Sequence, residues 1–109
     1  DVTQPAKSGA GASSYGTIAG RVYGIPPAHR NNFAVVIYAR TDKWYVQPLT
    51  SRPLTPLRRN LNWGTSTHLG YEYLALLVRL PYQPTATMND VPSPGGNILA
   101  IGRSAPRWK

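Results

Sequence analysis

The sequence contains no cysteine among its 109 residues. This absence excludes disulfide bonds, cysteine nucleophiles and metal sites built on thiolates. Carboxylates are also scarce, because only Asp1, Asp42, Glu72 and Asp90 occur. Glycoside hydrolysis normally requires two carboxylates that face each other, and these four form no convincing pair. No GxSxG elbow and no glycine-rich phosphate loop is present, so we predict a protein that is not an enzyme and needs no cofactor.

Long apolar runs are absent as well. No stretch of 18 apolar residues occurs, so we expect neither a transmembrane helix nor a membrane partner. His29 and His68 lie in polar segments and have few carboxylates to join them, so we predict no metal site. The N-terminus lacks the basic and apolar regions of a signal peptide, which indicates an excised segment or a mature form. The length predicts one domain.

Positive charge is what the chain has in excess. Twelve Lys and Arg residues face four acidic ones, which gives a formal net charge of +8. Such a surface can attract nucleic acid, anionic membranes or acidic polysaccharide. The basic residues are scattered, however, and Arg58-Arg59 is the only adjacent pair. We therefore favour a generally basic, solvated surface, and keep an anion- or nucleic-acid-binding domain only as a third alternative.

Hydrophobic periodicity predicts strands separated by turn-rich loops. Residues 33–41 are apolar on both faces and β-branched, which is typical of a central strand covered on both sides. Residues 71–80 contain helix-forming Leu, Ala and Glu, but the opening aromatics and the proline at position 81 favour a buried strand. Short strands are also predicted at 17–25, 44–47, 57–61 and 98–103, and loops at 26–32, 64–70 and 81–97. The proline-rich residues 48–56 predict an extended edge or a meandering loop rather than a central strand.

Composition divides the chain into three parts. Residues 1–16 are rich in Gly, Ala and Ser and predict a flexible linker. Residues 17–104 predict the folded module, and residues 105–109 a loose tail. Six or seven short strands with no confident helix predict an all-β fold, an antiparallel β-sandwich of immunoglobulin or fibronectin-III type.

The order of several separated motifs resembles a family of bacterial domains. GRVYG is followed by YARTDKWYVQP, PLTPL, a lone NW, THLGYEYLALLV and PSPGG, all within residues 17–103. This order is similar to small accessory domains of secreted bacterial proteins, many of them appended to glycoside hydrolases. The resemblance implies a secreted or extracellular, non-catalytic module with a linked catalytic domain and a polysaccharide or oligosaccharide partner. The chain departs from the family before Trp63, where Arg58–Asn62 replaces the more usual Asp-Gly turn.

Aromatic residues supply the candidate ligand site. Sugars stack their C–H faces on Trp and Tyr rings, while amides and arginines bond to their hydroxyls. Because neighbours in a strand point to opposite faces, one of Trp44 and Tyr45 should anchor the core and the other face outward. The tyrosines within predicted strands, Tyr23, Tyr38, Tyr71 and Tyr73, are expected in the core or in cross-strand pairs. The predicted ligand-binding residues are Trp44 or Tyr45, together with Trp63, as platform, Gln47 and Arg52 as polar partners, and Tyr82 or Tyr15 as rim.

Two functions rank above the anion- or nucleic-acid-binding alternative. The first is a carbohydrate-binding accessory module that holds a linked enzyme on its polysaccharide. The second is a structural or protein-interaction spacer domain of a larger secreted protein. Exposure of the tryptophans distinguishes them, because a buried indole has no face to offer a sugar.

Overall fold

Antiparallel β-strands make up most of the described part of the chain. The computed structural model describes residues 2–4, 15–48 and 52–104. Apart from one short 3₁₀ helix, Pro27–Asn32, its regular elements are strands. The strands are β1 Val2–Gln4, β2 Tyr15–Arg21, β3 Phe33–Arg40, β4 Trp44–Gln47, β5 Thr55–Pro56, β6 Asn62–His68, β7 Glu72–Arg79, β8 Thr87–Met88 and β9 Ile98–Ser104.

These strands form two sheets. The smaller sheet has the order β1-β2-β6, and the larger one has the order β8-β4-β3-β7-β9, with β5 also pairing with β3. Each described strand pairing is antiparallel. β3 and β7 pair over their full length, from Phe33 opposite Arg79 to Arg40 opposite Glu72. The larger sheet is therefore built outward from this central pair.

The two sheets share one hydrophobic cluster, which we call the inner cluster. Ile18 and Trp63 enter it from the smaller sheet, and Val35, Ile37 and Tyr73 from the larger one. The Trp63 side chain is the largest fully buried one, with 1% of its surface exposed. The buried members are Ile18, Val22, Val35, Ile37, Ala39, Leu57, Leu61, Trp63, Tyr73 and Ala75.

The opposite face of the larger sheet carries a second cluster, the outer cluster. Residues of the segment between β7 and β9, including Leu80, Tyr82 and Val91, pack against it. The Tyr38 hydroxyl donates a hydrogen bond of 2.7 Å to the carbonyl oxygen of Thr85, which ties this segment to β3. β3 is thus covered on both faces, as its unbroken apolar run predicts. The buried members are Ala34, Val36, Tyr38, Trp44, Val46, Leu74, Leu76 and Val78.

The strand before β7 lies later than predicted. Residues 57–61 form a turn, in which the Leu61 amide donates to the Arg58 carbonyl and Leu61 takes a left-handed φ of 67°. Glycine adopts this left-handed conformation more readily than other residues do, and a residue in it cannot continue a β-strand, so no strand extends through Leu61. Most of the polar stretch 64–70, predicted as a loop, belongs to β6 instead. Pairing with β2 satisfies its backbone from Asn62 to His68, which local polarity does not reveal.

The predicted linker is corrected at both ends. Val2–Gln4 form β1 and pair with β2, and Tyr15 and Gly16 already belong to β2. β2 ends at Arg21, before the predicted end at residue 25. The rest of the linker, residues 5–14, and the predicted tail 105–109 lie outside the described residues. The described part of the chain has nine strands rather than six or seven, because strands of two or three residues are too short for a periodic signal.

Trp63→Ala should test the importance of the inner cluster. We expect the free energy of unfolding to fall by about 3–5 kcal/mol, because the variant leaves a large cavity between the sheets. Urea denaturation followed by circular dichroism measures this loss. Tyr23→Ala is the control, since Tyr23 is 65% exposed, and should cost less than about 1 kcal/mol. Equal losses in both variants would contradict the assignment of Trp63 to the core.

Candidate functional site

Strand register brings several functional side chains to one end of the molecule. Arg40, at the end of β3, lies opposite Trp44 on one side and Glu72 on the other. In the smaller sheet, Tyr15 at the start of β2 lies opposite His68 at the end of β6. The backbone continues this arrangement, because the Tyr71 amide donates to the Arg40 carbonyl oxygen at 2.8 Å. We call this region the tyrosine end and define it by Tyr15, Asp42, Tyr45, His68 and Tyr71.

Trp44 and Tyr45 point to opposite faces, as the strand period predicts, and Trp44 is the anchor. Its side chain is 2% exposed and belongs to the outer cluster. The guanidinium carbons of Arg40 and Arg103 each lie 5.9 Å from its ring centroid. Tyr45 is half-buried, and Lys43 Nζ lies 5.9 Å from its ring. Of the two aromatics, Tyr45 is therefore the one that a ligand can reach.

The predicted platform of tryptophans is not available at the surface. Trp44 is buried under the outer cluster and Trp63 lies between the sheets. Neither indole offers a face to a sugar, so the role predicted for both is corrected to core packing. The physical reason is that each large aromatic lies on the covered face of its strand, Trp44 in the outer cluster and Trp63 in the inner cluster. The third tryptophan, Trp108, lies outside the described residues.

The Gln47 side chain is also buried, with 3% of its surface exposed. Its Oε1 accepts a hydrogen bond of 2.9 Å from the His68 amide and lies 3.0 Å from His68 Nδ1. Its Nε2 donates to the Tyr45 carbonyl oxygen at 3.3 Å. Gln47 therefore joins β4 of the larger sheet to β6 of the smaller one. The prediction that it binds ligand hydroxyls is corrected, because its amide already serves this connection.

Arg52 and Tyr82 complete the predicted set. Arg52 is exposed, and Tyr82 is half-buried and packs on the outer cluster. Among the described residues, no hydrogen bond or ion pair between side chains joins either of them to Tyr45. Of the predicted residues on β4, Tyr45 is thus the accessible aromatic. Its side-chain contacts are with Asp42 and Lys43, which were not predicted as site residues.

Two exposed tyrosines accompany Tyr45. Tyr15, predicted as a rim residue, is 57% exposed, and its ring centroid lies 4.4 Å from that of His68. Tyr71, predicted in the core or in a cross-strand pair, is 46% exposed. Its neighbour Gly70 explains this, because an added Cβ there would lie 2.7 Å from the Arg40 carbonyl oxygen. The chain therefore passes close to β3 and turns Tyr71 outward, a consequence that the Gly-Tyr dipeptide alone only hints at.

Both carboxylates at this end have partners. Glu72 binds Arg40 at 2.9 Å and Arg103 at 2.8 Å, and these hydrogen bonds, the one from Arg103 first, lower the pKa of its carboxyl. The hydroxyl of Tyr45 donates to Asp42 Oδ1 at 2.9 Å, which lowers the pKa of Asp42 and raises the pKa of Tyr45. Both acids are accordingly ionised near neutral pH, whereas a general acid requires a raised pKa.

Within the described residues, no group of three or more His, Cys, Asp and Glu side chains could hold a metal ion. None of the helices described there is long and apolar enough to cross a membrane.

No family model, curated protein or solved structure matches this chain. The resemblance to accessory domains of carbohydrate-active proteins therefore stays a prediction from its motifs, and function has to be inferred from the residues themselves.

Gly70→Ala should be destabilising, since its Cβ would collide with backbone atoms of Arg40 that cannot move independently of β3. We expect a loss of about 1–3 kcal/mol in the free energy of unfolding. The matched control is Gly102→Ala, whose Cβ would make one ordinary contact, 3.7 Å from the Val2 side chain. Urea denaturation of both variants measures the difference. A loss for Gly102→Ala as large as that for Gly70→Ala would contradict the close approach at Gly70.

Glu72→Gln should remove a contribution to stability that depends on pH. Because the pKa of Glu72 is lowered below its ordinary value of 4.5, its ion pairs stabilise the fold fully above that pH and progressively less as pH falls through the lowered pKa. At pH 7 we expect the variant to be less stable by about 1 kcal/mol or less, since the pairs are partly exposed to solvent. The denaturation midpoints of the variant and of the unmodified protein should converge as the pH is lowered from 7 to 3. A constant difference over this range would contradict the ion-pair assignment.

Proposed function

We propose that this chain is a non-catalytic accessory module that binds polysaccharide or oligosaccharide at the tyrosine end. Its two antiparallel sheets, which share the inner cluster, support the more specific proposal of a β-sandwich of immunoglobulin or fibronectin-III type. In the context that the motifs imply, such a module is secreted or extracellular in a bacterium. It would hold a linked catalytic domain on its substrate.

The observation that carries this proposal is the exposure of Tyr15 and Tyr71 at the end where Tyr45 is also reachable. Tyrosine rings present an apolar face for a sugar and a hydroxyl for hydrogen bonding. Asp42 and His68, which contact Tyr45 and Tyr15 respectively, add polar atoms beside two of these rings. A sugar site needs this combination of a few aromatic faces with a few fixed polar groups.

Pre-organisation also supports binding at this end. The hydrogen bond to Asp42 orients the Tyr45 ring, and contact with His68 orients Tyr15. His68 is itself held by Gln47 inside the fold. Side chains that are already ordered lose less conformational entropy when a ligand binds. Gln47 thus contributes to the proposed site indirectly, by positioning His68.

The absence of a ligand role for Trp44 and Trp63 favours a second candidate. Both indoles stabilise the core, and Gln47 joins the two sheets. A structural or protein-interaction spacer needs such internal connections and no sugar platform. We keep this function as the alternative, and binding measurements distinguish it from the first.

Affinity electrophoresis on gels that contain neutral or acidic polysaccharides tests the carbohydrate proposal. We expect at least one neutral polysaccharide to retard the protein at low and at moderate salt. Replacement of Tyr15, Tyr45 or Tyr71 by Ala should each weaken the association about two- to tenfold, since ring contacts contribute about 0.5–1.5 kcal/mol.

Tyr23→Ala is the matched control, because Tyr23 is exposed but follows the opposite end of β2 from Tyr15. Its retardation should equal that of the unmodified protein. Failure of every polysaccharide to retard a folded protein would refute sugar binding and favour the spacer. Retardation only by acidic polysaccharides, with a steep loss on adding salt, would instead favour an anion-binding domain.

A further inference from the structure

A groove opens between the two sheets, towards the end of the molecule that lies opposite the tyrosine end. Its volume is about 300 Å³, enough for one bulky apolar side chain. Tyr23 forms part of its rim, and buried side chains such as Val22 and Trp63 lie beneath it. The residues that line it are Val22, Tyr23, Val35, Trp63, Ala75, Leu77, Ala100, Ile101 and Gly102.

Small residues on β9 explain why the groove is open. Ala100 lies opposite Leu77 and Gly102 opposite Ala75, so both face the smaller sheet, where larger side chains would fill the space. The short strand β1 covers only the Gly102 side, where its Val2 would meet a Cβ at 3.7 Å. Alongside Ala100, no described residue of β1 or β2 lines the seam between the sheets, although Val22 and Tyr23, which follow β2, do.

The groove adjoins the edge of β9. In the described part of the chain β9 pairs with β7 alone, so its outer N–H and C=O groups form a free edge. A bulge places Leu99 as an extra residue, 36% exposed, and leaves Ala100–Ser104 as a regular stretch without proline. An edge of this kind can accept an added strand, whose backbone supplies affinity while its side chains enter neighbouring pockets.

We propose that the free edge of β9 and this groove, together the β9 groove, are a docking site for an extended acidic segment of another protein. The segment adds as a strand along Ala100–Ser104 and inserts one apolar side chain above Trp63. Charge identifies the partner. The chain carries a formal +8, and exposed Arg79, whose amide donates to the Asn97 carbonyl oxygen, lies beside the start of β9. Arg103, within the stretch, is already bound to Glu72. A second copy with the same charge would be repelled, whereas an acidic segment is attracted.

The stretch Ala100–Ser104 runs towards the tyrosine end, where Arg103 binds Glu72, but no residue that lines the groove belongs to that end. The proposal therefore does not depend on the proposed carbohydrate binding. The test is an NMR titration of the full chain with a synthetic peptide of about seven residues, the length of a typical strand. The peptide alternates valine and threonine, with leucine at its centre and glutamate at both ends. We expect saturable amide shifts in Ala100–Ser104 and a shift of the Trp63 indole.

Two comparisons make the test specific. The same peptide with lysine in place of both glutamates should bind about tenfold more weakly or worse, and added salt should remove most of this difference. Ala100→Leu, which fills the groove, should weaken binding of the glutamate peptide about tenfold. Tyr45→Ala, on β4, which β3 and β7 separate from β9, should leave it unchanged. Thermal unfolding confirms that each variant is folded, and Gly102→Val replaces Ala100→Leu if the latter is not.

Three outcomes would overturn the proposal. The first is the absence of shifts in β9 at millimolar peptide. The second is equal binding of the glutamate and lysine peptides, or a folded groove-filling variant that binds the glutamate peptide as tightly as the unmodified protein does. The third is self-association in analytical ultracentrifugation that Ala100→Leu abolishes, because a second copy would then be the occupant of the groove. None of these results would bear on polysaccharide binding at Tyr15, Tyr45 and Tyr71.

Discussion

The full-length pairing of β3 with β7 is the constraint on which the other elements depend. Side chains of this pair enter both hydrophobic clusters, so it forms the middle of the molecule. β4 and β5 attach to β3, and β9 attaches to β7. Burial on both sides is favourable only if both faces are apolar, and β3 meets this condition almost throughout its length. The smaller sheet then covers one face, and the segment between β7 and β9 covers the other.

This arrangement restricts where the molecule can bind anything. Rings near the middle of the strands, such as those of Tyr38 and Tyr73, are buried in the clusters. Rings at strand ends and turns, such as those of Tyr15 and Tyr71, stay exposed because no layer covers them. Both proposed sites follow this rule, since one lies where strands end and the other where a sheet edge is uncovered. A two-layered core thus leaves its ends and edges for recognition.

Charge separates the two proposed sites. At the tyrosine end Glu72 binds two arginines, so part of the positive charge is compensated inside the molecule. Stacking and hydrogen bonds suit an uncharged sugar there. Along β9, where Arg103 is already paired with Glu72, Arg79 and the net charge favour an acidic partner. An accessory module with both surfaces would keep its aromatic site apart from its groove, because no residue that lines the groove belongs to the tyrosine end.

By itself, the sequence determined the strands with a strong local pattern and the opposite orientation of Trp44 and Tyr45, because apolar β-branched runs and a period of two are local properties. Tertiary structure decided the rest. β6 is polar and becomes a strand only through its partner β2, and the shortest strands exist only as pairs. Which of the two aromatics meets solvent depends on the segment that buries Trp44. Likewise, Tyr71 is exposed because Gly70 packs against β3, a contact between residues thirty positions apart that no local pattern encodes.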